Sequence, residues 1–289
     1  MSTVEAKQKI PAGEAMALAW EHYRAQRFRL AEQTSRQVLA GQPDNFDAAS
    51  LLGVLAYRAG QTKDAIGWME RAVAGNPNVA GFHSNLCEMY RQTGDLDRAI
   101  AAGERAIALD PNYMQGLNNL GITQFERRDF QAAEQLYRRA IAADPKFAEA
   151  RNNLANALRA QRRLEEAIEE YRRAIELRPA YPEALSNLGC TLRELGQFEE
   201  AEKALRMAIG AKPAYIEAYN NLALTLWDRK QPEEALGVLA RSMAIQPDRP
   251  EAMIIMASYL LDLGRTKGAL YACQRALRNK PDHVGALNL

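Results

Sequence analysis

The small and apolar positions of this chain return with a period of 34 residues. Counting units from residues 12, 46, 80, 114, 148, 182, 216 and 250, column 7 reads Leu18, Leu52, Leu86, Leu120, Leu154, Leu188, Leu222 and Met256. Column 8 is small throughout: Ala19, Gly53, Cys87, Gly121, Ala155, Gly189, Ala223 and Ala257. Column 20 is alanine in all eight units, from Ala31 and Ala65 to Ala235 and Ala269, and column 27 is mostly alanine. Two helices per unit follow, packed closely where columns 8 and 20 meet, with an apolar seam facing the next unit.

Boundaries follow from punctuation residues. The first helix is predicted over about columns 2 to 14; Gly60, Gly94, Gly196 and Gly264 suit the left-handed turn that ends it. The second helix opens on acidic pairs, Glu165-Glu166, Glu199-Glu200 and Glu233-Glu234, which complement a helix N-terminus. Pro182, Pro232 and Pro250 fall at or near first helical positions, where a missing N–H costs nothing. Pro43, Pro77, Pro111, Pro145, Pro179, Pro213, Pro247 and Pro281 keep the same beat.

A polar-Asn-Leu triplet occupies columns 5 to 7 of the five middle units: Ser84-Asn85-Leu86, Asn118-Asn119-Leu120, Asn152-Asn153-Leu154, Ser186-Asn187-Leu188 and Asn220-Asn221-Leu222. Asparagine is a poor helix former, so five copies inside helices need a reason. A carboxamide has donors and an acceptor that match a peptide unit. Inner helices about 8–10 Å apart, against an extended strand rising about 3.3 Å per residue, would place one asparagine at every third residue of a guest. The alternative is that the asparagines bond to one another or to the preceding helix and link the repeats.

These columns resemble the tetratricopeptide repeat over about residues 12–283, in eight copies. The resemblance implies an all-α, right-handed superhelical solenoid of helix-turn-helix hairpins, with the first helices lining a concave surface and protein binding as the main role. Residues 1–11 are then an N-terminal extension, and 284–289 begin a ninth repeat that looks truncated. The Asn-Leu-Gly and Asn-Leu-Ala variants are similar to repeats of the O-linked N-acetylglucosamine transferases. There an asparagine ladder holds an extended substrate peptide, and Asn85, Asn119, Asn153, Asn187 and Asn221 match it. Ala17, Leu51 and Ile255 depart from it in repeats one, two and eight, which confines any ladder to the middle five.

Neighbours expected beside that ladder are Asn118, Asn152, Asn156, Asn220, Arg91, Arg159 and Arg193, with Glu149, Glu183, Glu217, Phe125, Trp227 and Asp228 of mixed sign. The glutamates also offset a helix dipole, and the arginines either stand in solvent or meet an acidic guest. Tetratricopeptide domains that clamp a terminal carboxylate use a basic clamp. The acidic column 2 here argues for an internal segment as guest.

The 37 basic and 36 acidic residues cancel, so no broad positive field marks a nucleic-acid or membrane partner. Cys87, Cys190 and Cys273 have neither disulfide-framework nor zinc spacing, which fits a reducing, cytoplasmic setting. His22, His83 and His283 fall at unrelated columns without a second ligand at metal spacing, and no phosphate loop or nucleophile–base pattern occurs. No cofactor is implied and the residues read as non-catalytic. Two rival readings remain: a substrate-recruiting arm of a transferase whose catalytic part lies beyond residue 289, and a scaffold that self-associates through repeat eight.

Overall fold

The computed structural model describes residues 10–280, 282 and 284–287. Most of the N-terminal extension, with Pro281, His283, Asn288 and Leu289, lies outside the described residues. The chain divides into two compact units, residues 1–145 and 146–289.

The first unit holds four helical hairpins. Its first helices are α1 (Ala12–Arg24), α3 (Phe46–Arg58), α5 (Ala80–Gln92) and α7 (Met114–Glu126); their partners are α2 (Phe28–Gly41), α4 (Thr62–Gly75), α6 (Leu96–Leu109) and α8 (Phe130–Ala143). The second unit repeats the plan with α9 (Ala148–Ala160), α11 (Pro182–Glu194), α13 (Ile216–Asp228) and α15 (Pro250–Asp262) as first helices. Their partners are α10 (Leu164–Leu177), α12 (Phe198–Ala211), α14 (Pro232–Ile245) and α16 (Thr266–Asn279), and a short α17 (Val284–Leu287) follows. Among the described residues there is no strand. First helices occupy columns 1 to 13, one residue earlier than predicted, because the column-14 residue caps the helix.

Packing follows the column pattern. Every column-20 alanine is buried, from Ala31 and Ala65 in the first unit to Ala235 and Ala269 in the second. Column 8 is as tight: a Cβ added to Gly121 would lie 2.6 Å from Tyr137 Cε1, and one on Gly189 would lie 2.6 Å from Leu205 Cγ. Removing the side chain at column 8 therefore lets a large column-24 residue cross it. Tyr137 and Leu205 become fully buried there, each removing on the order of 1.5–3 kcal/mol of apolar exposure. Met69, Leu86 and Met89 centre one core in the first unit; Leu205, Leu222, Leu226 and Leu239 centre one in the second.

The turn between helices is left-handed in all eight hairpins, at column 15. Gly60, Gly94, Gly196 and Gly264 take φ values of 76°, 79°, 76° and 70°, as expected, but Gln26, Arg128, Arg162 and Lys230 adopt the same region at 58°, 69°, 64° and 62°. Glycine relieves strain there but is not required for the turn. The prolines at residues 182, 232 and 250 do stand at helix N-termini. No helix among the described residues is long and apolar enough to cross a membrane.

Candidate functional site

The first helices carry all the asparagines singled out above, and the amide nitrogens of Asn119, Asn187 and Asn221 bond the preceding repeat. In the first unit Asn119 Nδ2 donates to Ser84 Oγ at 3.1 Å and to the Ser84 carbonyl at 3.3 Å. In the second, Asn187 Nδ2 donates to Asn152 Oδ1 and to Asn156 Oδ1, both at 3.2 Å, and Asn221 Nδ2 donates to Ser186 Oγ at 3.2 Å. A column-6 asparagine thus reaches the column-5 polar residue of the preceding repeat, which explains the polar-Asn-Leu triplet. The linking role weighed from sequence is present in the hydrogen bonds.

The other carboxamides support this row. Asn152 Nδ2 donates to Asn153 Oδ1 at 3.3 Å, and Asn156 Oδ1 also accepts from the buried Tyr171 hydroxyl at 2.6 Å. Asn118 and Asn152 are themselves buried. Ser242 Oγ donates to Asn220 Oδ1 at 3.1 Å, tying that residue into its own hairpin. One turn on, Thr123, Thr191 and Thr225 hydroxyls donate to the carbonyls of Asn119, Asn187 and Asn221 at 2.8–2.9 Å. Asn85 is half-buried and makes no side-chain hydrogen bond among the described residues.

What the amide nitrogens give up, the oxygens keep. Oδ1 of Asn119, Asn187 and Asn221 accepts nothing from the described chain, and none of the three oxygens is fully buried. The row presents chiefly acceptors.

A second row runs nearly two helical turns beyond it, six residues further along each helix, and sequence reasoning missed it. Arg91 Nη1 binds Glu126, Arg159 Nε binds Glu194 Oε1 at 2.8 Å, and Arg193 Nη1 binds Asp228 Oδ2 at 2.9 Å. Each pair joins column 12 of one repeat to column 13 of the next. The solvated reading of these arginines is corrected: the Arg91 side chain is only 14% exposed. Arg91 also grips Glu88, which accepts further from the Tyr57 hydroxyl at 2.7 Å and from Gln92 Nε2 at 3.2 Å. Burial alone would raise the Glu88 carboxyl, but hydrogen bonds from Arg91 and Tyr57 outweigh it and hold the group below its ordinary value.

Three of the column-2 glutamates are also partnered. Glu149 pairs with Arg178, Glu183 with Lys212 at 3.8 Å and Glu217 with Arg249 at 2.8 Å, each within its own repeat. Phe125 packs against Phe130 with ring centroids 5.2 Å apart. In the second unit Trp227 stacks on Tyr259 at 3.8 Å and 7° between planes.

Cys87 is buried, its thiol pushed up to about 11 by burial, and Cys190 is half-buried with its thiol also raised by burial. His83 Nε2 lies 2.9 Å from the Pro77 carbonyl, and no group of three His, Cys, Asp or Glu among the described residues could hold a metal ion.

Family models described as tetratricopeptide repeat match residues 16–80, 118–182 and 238–284, with further such models over 78–146, 158–225 and 192–259. No curated protein matches the chain. Among solved structures, the MamA protein is 26% identical over 58% of this chain and 92% of its own, with a TM-score of 0.51. YrrB, described as a TPR protein with an unusual peptide-binding site, is 23% identical over 64% of this chain and 95% of its own, at 0.51. The APC/C hetero-tetramer Cut9-Hcn1 reaches 0.68 over 90% of this chain and 51% of its own at 14% identity. These last two show the fold alone.

Proposed function

The chain belongs to the tetratricopeptide repeat family, whose models cover more than half of it, and from that premise we propose that this protein-interaction scaffold holds extended protein segments along the first helices of each unit. Asn85 and Asn119 in the first unit, and Asn153, Asn187 and Asn221 in the second, are the principal contacts of that reading. The observation that carries it is the division of labour within three of these carboxamides: Nδ2 of Asn119, Asn187 and Asn221 is bonded to the preceding repeat while Oδ1 has no partner in the described chain. A side chain already fixed by its own repeat loses little further freedom when a guest backbone N–H arrives, so its hydrogen bond costs less to form. YrrB, a related fold described by its peptide-binding site, adds support from outside the chain. Asn118, Asn152, Asn156 and Asn220 hold the row in place, and Arg91, Arg159 and Arg193 with their acidic partners form its lower border.

The test replaces Asn119, Asn153 and Asn187 together by alanine and titrates fluorescent peptides of increasing length. Each lost inter-repeat bond lowers stability by about 0.5–1.5 kcal/mol, so binding is normalised to the folded fraction from circular dichroism. Normalised affinity falls on the order of tenfold or more. Unchanged normalised affinity would leave the asparagines as inter-repeat links and end the proposal.

A further inference from the structure

The first helices of the second unit change chemistry at matched columns. Columns 6 and 9 read Asn153 and Asn156 in the first repeat of that unit, Asn187 and Cys190 in the next, then Asn221 and Leu224, and finally Ile255 and Ser258. Column 5 makes the same change, from Asn152 to Ile254. The carboxamide row therefore stops at Asn221, and Asn220 turns to Ser242 in its own hairpin instead of a following asparagine. Leu224, Trp227, Ile254 and Ile255 remain half-buried, and three of them pack against the core that includes Tyr259. Trp227 is immobilised by its stack on Tyr259, so this apolar surface is preformed. Half-buried apolar side chains gathered on one core, beside hydrogen-bond acceptors, are the kind of lining that receives a partner side chain.

Charge says what flanks that side chain. Glu217 and Asp228 are neutralised by Arg249 and Arg193. Glu251 and Asp262, at the two ends of α15, are exposed and form no close ion pair among the described residues, Arg249 being bonded to Glu217 while it also feels the Glu251 charge. Helical rise puts them about 16 Å apart, with Ile254 and Ile255 between. An acidic border around an apolar patch favours a cationic neighbour on the guest.

Resting on the peptide-binding reading, we infer that Leu224, Trp227 and Ile255 form a specificity subsite for one apolar or aromatic side chain of an extended peptide, flanked by lysine or arginine. Asn187 and Asn221 take the guest backbone, and the anchor side chain follows about three residues beyond Asn221, the step that helix spacing sets.

The experiment pans a random peptide library against the protein and against the double variant Leu224→Asn, Ile255→Asn. Both replacements borrow residues that repeat five carries at the same columns, Asn156 and Asn153, so the fold has a precedent for them. The protein enriches peptides with an apolar residue beside Lys or Arg; the variant still holds peptides but loses that enrichment, binding the selected sequence on the order of tenfold more weakly. A benzophenone in place of the anchor side chain cross-links to α13 or α15. Enrichment without an apolar residue, enrichment of acidic peptides, equal enrichment by the variant, or cross-links elsewhere overturn the subsite while peptide binding stands. A library from which nothing is retained overturns the peptide-binding reading with it.

Discussion

Arg193 Nη1 meets Asp228 Oδ2 at 2.9 Å between consecutive first helices, and the two side chains are 32% and 36% exposed. At that exposure solvent screens much of the attraction, so the pair aligns repeats more than it stabilises them. A double-mutant cycle with Arg193→Ala and Asp228→Ala, read by urea unfolding, should give a coupling of about 0.2–1 kcal/mol at low salt. In concentrated salt it should fall toward zero. A coupling that ignores salt would contradict this assignment.

Two glycines of the second unit should respond to alanine in opposite directions. At Gly189 the new Cβ meets Leu205 Cγ at 2.6 Å and the Ala201 carbonyl at 3.1 Å, so the hairpin must open. The expected cost is about 1–3 kcal/mol. Gly237, inside α14, has nothing within 4 Å of such a Cβ, and Gly237→Ala should stabilise by about 0.4–1 kcal/mol. Thermal melts of the two variants decide it.

The column-15 turn offers a paired test of backbone strain. Lys230, at φ 62°, pays for the left-handed conformation that Gly196, at φ 76°, adopts freely. Lys230→Gly should raise stability and Gly196→Ala lower it, each by roughly 1 kcal/mol. Chemical denaturation midpoints moving the same way in both variants would refute the strain argument.

Glu88 links stability to acid. Its folded carboxyl titrates below the ordinary value of 4.5, so its contribution is complete above that value and disappears as pH falls through the lower, folded one. Between about pH 5 and pH 3 the melting temperature of the wild type should drop more than that of Glu88→Gln. Parallel curves for the two proteins would show that Arg91 and Tyr57 do not bias this proton.

Much of the fold was legible because each repeat reports the same fact eight times. Column 20 could be assigned to the hairpin crossing from its alanines alone, and Ala133 and Ala201 are buried there. The left-handed turn was legible only where glycine marks it; Arg128 and Arg162 carry no side-chain signal for that conformation. The Arg row is not legible within any one column, because its contacts join column 12 to column 13 of the next repeat. The signal was present: arginines 91, 159 and 193 each precede an acid by 35 residues, while Tyr57 at the same column precedes Gln92. For the asparagines, sequence gave both possible partners of a carboxamide. Only coordinates could show its nitrogen and oxygen assigned to different tasks.

Because the asparagine and arginine links join only neighbouring repeats, a hairpin can be lost without leaving a mismatched junction. Excising residues 182–215 would bring Asn221 behind Asn152 and Asp228 behind Arg159, restoring an amide–carboxamide couple and an ion pair of the kinds already found at Asn187 and Glu194. The second unit is thus built from interchangeable modules, and its length can be edited in steps of one repeat while the seam between survivors stays chemically complete.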